Sequence, residues 1–215
     1  MSKNVLFHAD FESNELPNDW WIEGGEKVWV EDGRLYIKAD PPEKNGNGYV
    51  CTVWNKTAIA GDVQVDFDAH VISSTLEANN INFFLFYADP TGKPLYETRE
   101  TRTDGGYKHY HHLNGYIFTF LNAGRQTEGD QRARIRMRRC PGFELLTETY
   151  DYHCRQGVTY HVTITRKGGQ LTFAVDGKVY LKQEDPEPWR KGLFGLRTFH
   201  TDLWWDNIQI MEIAE

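Results

Sequence analysis

The sequence lacks long hydrophobic runs and lacks an excess of basic residues. No stretch approaches the ~18 consecutive apolar residues that a membrane-spanning helix needs, so no membrane segment is predicted. The 24 Lys and Arg residues are outnumbered by 31 Asp and Glu, which gives a formal net charge of −7. Nucleic-acid-binding proteins need a basic face, so the composition argues against that class of partner.

Cysteine is also scarce, and its three positions are widely spaced. Cys51, Cys140 and Cys154 form no C-x-x-C pair, so a zinc knuckle is not predicted. The first residues, MSKNVLFHADFES, contain no apolar core of a secretory signal. Reduced cysteines and the lack of a secretory signal sequence predict a cytoplasmic location, although a signal peptide that had been cleaved would leave the same N-terminal residues.

No stretch shows a sustained apolar period of a helix, and short β-rich runs separated by turn residues dominate instead. Residues 63–69 alternate strictly, with apolar side chains at the odd positions, which predicts a half-buried strand. Residues 29–37 read as a hairpin around Asp32-Gly33. These patterns predict one all-β domain over residues 1–215, a sandwich of two antiparallel sheets.

The end of the chain carries a more specific pattern. Residues 192–197, Gly-Leu-Phe-Gly-Leu-Arg, are followed by Asp-Asn-Ile at 206–208. This succession resembles the closing strands of concanavalin-A-like domains, which implies a jelly-roll β-sandwich. A fold of this kind indicates little about activity by itself.

Further motifs resemble a narrower family. They are Trp-Ile-Glu-Gly-Gly at 21–25, Tyr110-His111 with Asn114, Arg136 and Arg138 with Gly142-Phe143, and Gly-Leu-Arg at 195–197. Together they are similar to the YesU-like family of uncharacterised bacterial jelly-roll proteins. Members of that family lie near genes for pectin and rhamnogalacturonan breakdown, so the resemblance implies a glycan ligand. It implies no catalytic residues, because none is established for the family.

The densest group of reactive side chains lies in residues 107–116, Tyr-Lys-His-Tyr-His-His-Leu-Asn-Gly-Tyr. As a strand, this segment would present two faces, one with Tyr107, His109 and His111 and the other with Tyr110, His112 and Asn114. Burying several unpaired imidazoles is costly, so we expect one set to face an open groove. A transition metal bound by histidines at i and i+2 is an alternative that lacks an obvious third ligand, and a solvated polar loop is another.

Carboxylates give a weaker pattern. Glu23 follows two tryptophans and precedes two glycines, where it could bind sugar hydroxyls, donate a proton with a raised pKa, or simply belong to a turn. The E-x-D-x-x-E motif of concanavalin-A-like glucanases is absent. Glycoside hydrolysis would therefore need two carboxylates from separate strands, for instance Glu23 with Glu97 or Glu100.

Arginine supplies the third group. Arg132, Arg134, Arg136 and Arg138 alternate and should share one strand face. Their partners are either the protein's own acids or acidic sugars, which guanidinium groups grip bidentately. Arg197 and His200 follow on a late strand.

These candidates favour a carbohydrate-active protein acting on an acidic oligosaccharide or polysaccharide, with lyase chemistry as its most specific form. A lyase needs a group that neutralises the uronate, a base and an acid. The catalytic candidates are His111 as base, Tyr110 or Tyr116 as acid, Arg197 or Arg138 with Asn114 as neutraliser, and Glu23. The substrate-binding candidates are Trp21, Tyr107, His109, Asn114, Tyr116, Arg136, Arg138, His200 and Trp204. A glycoside hydrolase and a non-catalytic, lectin-like glycan-binding module remain as alternatives.

No cofactor is firmly indicated. Jelly-roll domains often hold a structural Ca²⁺ on loop oxygens. Asp10, Glu12 and Asp206 are candidate ligands, since the first and last strands of such folds pair.

Overall fold

A computed structural model describes residues 4–43, 48–122 and 133–213, and the candidate Arg132 lies outside these ranges. The described chain forms two eight-stranded antiparallel sheets. Across the first sheet the strands are β14 (Lys178–Glu184), β13 (Gln170–Val175), β12 (Thr159–Lys167), β7 (Val63–Ser73), β16 (Asp202–Glu212), β4 (Arg34–Lys38) and β3 (Lys27–Glu31), and β1 (Val5–Ala9) also pairs with β16.

The second sheet is built in the same way. Its order is β11 (Glu144–Thr149), β10 (Ala133–Cys140), β9 (Asn114–Asn122), β8 (Ile81–Ala88), β15 (Lys191–Phe199), β5 (Val50–Asn55) and β2 (Trp20–Gly24), with β6 (Ile59–Ala60) paired to β15. These two sheets confirm the predicted all-β sandwich. No helix in the described ranges is long and apolar enough to cross a membrane.

The main core lies between the sheets, where alternation buries one face of each strand. On β7, Val65 and Phe67 are buried as their odd positions predict. Phe67 stacks on Phe83 of the opposite sheet, with ring centroids 5.4 Å apart. Fully burying a side chain of this size stabilises the fold by about 1.5–3 kcal/mol, so the interleaved rings hold the sheets together.

Residues 107–116 do not form the expected strand. Tyr107–Tyr110 is a short 3₁₀ turn, the second of two in the loop after β8, and strand β9 begins only at Asn114. In a 3₁₀ turn residues i and i+3 lie on the same side, and the strand alternation assumed for the histidines does not apply. Tyr107 and Tyr110 accordingly both lie against the guanidinium of Arg197, with Tyr110 buried and Tyr107 half-buried.

The loop at 89–113 packs against the outer face of the second sheet. A second apolar cluster joins Trp54 and Phe84 of the sheet to Leu95, Tyr110 and Leu113 of the loop. The loop therefore covers one part of this face, and the adjoining part stays open.

Candidate functional site

A row of polar residues runs across the whole second sheet. Directly paired positions link seven of its eight strands in the order Glu23, Thr52, Arg197, Asn82, Thr119, Arg136 and Glu148. Side chains at directly paired positions point to the same face of a sheet. One end of the row lies under the loop at 89–113, and its middle is open.

An open groove of about 340 Å³ lies over the middle of this row. Its lining residues are Tyr49, Val50, Asn80, Asn82, Tyr107, Thr119, Leu121, Arg134, Arg136, Arg197 and Phe199. The three rings are half-buried or exposed, so they offer apolar surface beside polar groups. None of these lining residues is acidic.

Arg197 is the most unusual member of the lining, because only 1% of it is exposed. Its Nη1 donates to Thr52 Oγ1 at 2.7 Å and to the carbonyl oxygen of Gly105 at 2.8 Å. Its guanidinium carbon lies 4.7 Å from the ring centroid of Tyr107. No carboxylate in the described part of the chain forms an ion pair with it, although a buried cation normally needs one.

Asn82 places an unsatisfied polar atom beside Arg197. Its side chain is 3% exposed, and its Nδ2 donates to Asn80 Oδ1 at 2.6 Å. Its own Oδ1 is buried and has no hydrogen-bond partner among the described residues. Buried polar atoms are almost always paired, so an unpaired oxygen beside Arg197 is unusual.

Two further guanidinium groups extend the positive charge along the groove. Arg136 Nε lies 3.6 Å from Glu148 Oε2, while Arg134 lies 5.6 Å from the ring centroid of Tyr150. Burial, with the charges of Arg134 and Arg138 beside it, lowers the pKa of Arg136. Arg138 itself donates to the carbonyl oxygen of Phe143 at 2.9 Å and is not part of the lining.

Glu23 lies outside the groove and belongs to a saturated buried network. It accepts hydrogen bonds from Trp21 Nε1 at 3.1 Å, Trp54 Nε1 at 3.0 Å and Tyr110 Oη at 2.8 Å. It also pairs with Arg102, whose Nη2 lies 3.1 Å away, and both side chains are almost completely buried. The expectation of a catalytic Glu23 is therefore not met by its position: its oxygens fasten the loop to the sheet.

The same network accounts for two other candidates. Burial raises the pKa of Tyr110 well above its usual range, and its hydroxyl is committed to Glu23. Trp21 is buried against Trp54, with ring centroids 5.8 Å apart. The expected pairing of Glu23 with Glu97 or Glu100 does not form, because both partners are exposed on the loop.

His111 lies behind Tyr107 and does not line the groove. Its ring stacks on Phe143 at 3.8 Å and meets the ring of Tyr107 at 4.9 Å. Burial, together with the charges of Arg197 and Arg138, lowers the pKa of His111 to about 4. Its buried Nε2 has no hydrogen-bond partner in the described part of the chain. Burial also raises the pKa of Tyr107 to about 12, so the phenol over Arg197 stays protonated at neutral pH.

The remaining candidates are dispersed. Trp204 lies on the first sheet, where it stacks on His70 at 5.2 Å. Tyr116 points into the core and donates to Asp185 at 2.6 Å. His109 pairs with Asp104 at 2.8 Å on the loop surface.

Two candidates sit at the margins of the groove sheet. Asn114 begins β9 beside Ala88 and is not in the lining. His200 is buried beneath the groove wall, with its ring 5.2 Å from Tyr49 and 4.8 Å from Phe199. It supports those rings from below.

The candidate Ca²⁺ ligands Asp10, Glu12 and Asp206 do not assemble into a metal site. No group of three or more His, Cys, Asp or Glu side chains able to hold a metal occurs in residues 4–43, 48–122 or 133–213.

Sequence reasoning missed Tyr49, Asn80, Asn82, Thr119 and Phe199. One signal was present for Asn82, since it is the single polar side chain in the apolar run at 81–88. Its meaning depends on the strand register, which places it between Arg197 and Thr119.

Comparison with known proteins supports the fold and identifies the family. Curated proteins give no match. A Bacillus subtilis protein of unknown function with a galectin-like fold has a TM-score of 0.81 at 18% identity, over 97% of this chain and 96% of that one. This similarity confirms the predicted concanavalin-A-like jelly roll.

Two other similar structures are those of a carbohydrate-binding module and of a sugar-bound domain. The carbohydrate-binding module CBM66 of Bacillus subtilis has a TM-score of 0.62 at 12% identity, covering 92% of this chain and 99% of its own. The Ca²⁺- and Man3GlcNAc-bound exoplasmic/lumenal domain of VIP36 has a TM-score of 0.67 at 12% identity, covering 100% and 92%. At the level of sequence families, residues 43–208 match a domain of unknown function, and the chain belongs to that family, DUF6250.

Proposed function

We propose that the groove binds an acidic sugar of an oligosaccharide or polysaccharide. The observation that carries this proposal is Arg197, a buried cation facing the groove without a carboxylate partner among the described residues. A sugar carboxylate supplies the missing anion, and charge-assisted hydrogen bonds of this kind contribute about 1.5–3 kcal/mol each.

The other lining residues offer contacts to the hydroxyl groups and to the ring of a sugar. Among the described residues, Arg197 donates its side-chain hydrogen bonds from Nη1, which leaves Nη2 for the ligand. The lining also contains the amides of Asn80 and Asn82, and the rings of Tyr107 and Phe199 offer apolar surface to the C–H face of a pyranose. Two of the similar folds are a carbohydrate-binding module and a sugar-bound domain, which supports a carbohydrate over other carboxylates.

Calorimetric titration with uronate oligosaccharides, beginning with pectic fragments, tests the proposal. We expect Arg197→Met to weaken binding of the acidic oligosaccharide by at least about tenfold, the loss of one charged contact. The methyl ester of the same oligosaccharide should bind weakly to both proteins. Arg155→Met, which removes an arginine remote from the groove lining, is the matched control. Equal affinity of the wild type and Arg197→Met for the acid would overturn the proposal.

A second candidate is β-elimination on the same ligand. It is favoured by a protonated phenol, Tyr107, placed directly over the proposed carboxylate-binding group. With the uronate held on Arg197, His111 would take the C5 proton and the C5 electron pair would form the C4=C5 double bond. The C4–O bond would break, and Tyr107 would protonate the leaving oxygen. Because His111 lies behind Tyr107 and outside the groove lining, this elimination requires the imidazole to move past Tyr107 to reach C5.

Product analysis separates the candidates. A lyase generates the ultraviolet absorbance of the unsaturated uronate, and His111→Ala and Tyr107→Phe should each abolish it while the acid still binds. Binding without product leaves the glycan-binding function alone. New reducing ends without this absorbance would contradict elimination and point to hydrolysis.

A further inference from the structure

A second groove lies on the other side of the loop at 89–113. It measures about 410 Å³ and is lined by Lys56, Tyr87, Ala88, Lys93, Pro94, Leu95, Tyr96, Lys191, Gly192 and Leu193. It shares no residue with the Arg197 groove. The volume lies in the range of small-molecule sites.

The lining of this second groove combines an apolar floor with a ring of positive charge. Leu95 is buried and Leu193 is half-buried, whereas Lys56, Lys93 and Lys191 are exposed. None of these three lysines forms an ion pair within residues 4–43, 48–122 and 133–213. Acids outnumber bases in the whole chain, so a groove that has three lysines and no acid is a local reversal of charge.

The chemistry of this lining differs from that of the Arg197 groove. It contains no amide, carboxylate or aliphatic hydroxyl side chain. A sugar there would find side-chain acceptors only in the phenols of Tyr87 and Tyr96, and unpaired hydroxyls are unfavourable once they are desolvated. A flat apolar ligand has few hydrogen bonds to lose in such a place. Tyr96 adds an aromatic ring, and Lys56 and Arg99 lie 4.1 and 4.0 Å from its centroid.

We propose that this second groove is a binding site for a small aromatic acid. The ring system lies against Leu95, Leu193 and Tyr96, and the acid group meets the lysines at the rim. The site is independent of the proposed glycan groove, since neither needs the other to be filled.

Competitive fluorescence titration of the whole chain tests the site. Anilinonaphthalenesulfonate serves as the reporter, displaced by naphthoate or by naphthamide, which has the same rings without the charge. We expect saturable binding of the reporter and displacement by naphthoate at least about tenfold more effective than by naphthamide. Equal displacement by the two compounds would refute the role of the lysines.

Charge reversal locates the site. Lys93→Glu with Lys191→Glu should weaken naphthoate binding by about tenfold, since attraction at two positions becomes repulsion. Lys178→Glu with Lys182→Glu, on a strand of the first sheet, changes the net charge equally and should leave binding unchanged. Loss of binding in both double variants, or in Arg197→Met, would place the ligand elsewhere and overturn the proposal. Circular dichroism checks that every variant is folded.

Discussion

Replacing Glu23 with glutamine should unfasten the loop at 89–113 from the sheet. Each carboxylate oxygen of Glu23 accepts at least two hydrogen bonds, one of them from an indole. In Glu23→Gln, one carboxylate oxygen is replaced by an amide NH₂ group, which is itself a donor and faces these donors. The buried charge of Arg102 also loses its counter-ion. Removing one partner of a buried ion pair typically destabilises a protein by about 3–5 kcal/mol.

The contacts that remain to Arg102 place the effect at the lower end of this range. Its guanidinium still donates to the carbonyl oxygen of Leu95 at 2.7 Å and to that of Thr98 at 3.1 Å. We therefore expect a loss of about 3 kcal/mol. For a chain of this size, about 2–4 °C of melting temperature corresponds to each kcal/mol, so the midpoint should fall by about 6–12 °C.

Denaturant unfolding of Glu23→Gln, Arg102→Met and the double variant measures the coupling directly. The double variant should be more stable than the sum of the single losses predicts by at least about 1 kcal/mol, because it leaves no unpaired charge. Glu100→Gln is the matched control, since its exposed carboxylate pairs with Arg99 at 3.3 Å and contributes little. Strict additivity, or a loss in Glu23→Gln below about 1 kcal/mol, would refute the assignment of this pair as the loop fastening.

Two other predictions concern the surroundings of the groove. The pKa of His111 is about 4 in the folded protein and 6.5 ordinarily, so the unfolded chain binds this proton at a higher pH than the folded protein does. Wild-type stability should therefore decline more than that of His111→Phe as the pH falls from 6.5 toward 4, and thermal melts across this window check it. In Gly195→Ala, the new Cβ would lie 2.6 Å from Trp54 Cε3. Such overpacking should cost about 1–3 kcal/mol by denaturant titration, and an unchanged midpoint would mean that the indole gives way.

The fold was predictable because its signals are local. The hairpin at residues 29–37 turns at Asp32 and Gly33, which have φ values of 49° and 69°, as the Asp-Gly pair indicates. Alternation over residues 63–69 marks the buried face of β7 directly. Each of these patterns lies within a few residues of the structure that it specifies.

The site was less predictable because it depends on partners that are distant in sequence. Glu23 and Arg102 are 79 positions apart, so nothing near Glu23 showed that its charge is already neutralised. Residues 107–116 contain the expected residue types, but a 3₁₀ turn in place of a strand puts Tyr107 and Tyr110 on one side, where both rings lie over Arg197. Trp204 was grouped with them because its sheet could not be assigned from composition.

Glu23 and Arg197 are two buried charges in one cross-strand row, and they differ in whether a protein group of opposite charge neutralises them. Glu23 ends the row under the loop, where an arginine, two indoles and a phenol satisfy it completely. Arg197, two strands away, is equally buried, but among the described residues it donates hydrogen bonds only to a hydroxyl and a carbonyl and lies against the neutral rings of Tyr107 and Tyr110. Removing a partner from a compensated buried charge destabilises the free protein, whereas an uncompensated buried charge already lowers its stability and favours binding of an anionic ligand. The balance of charge around each group, more than its residue type or its burial, therefore separates the fastening of the loop from the place where an acidic ligand is expected.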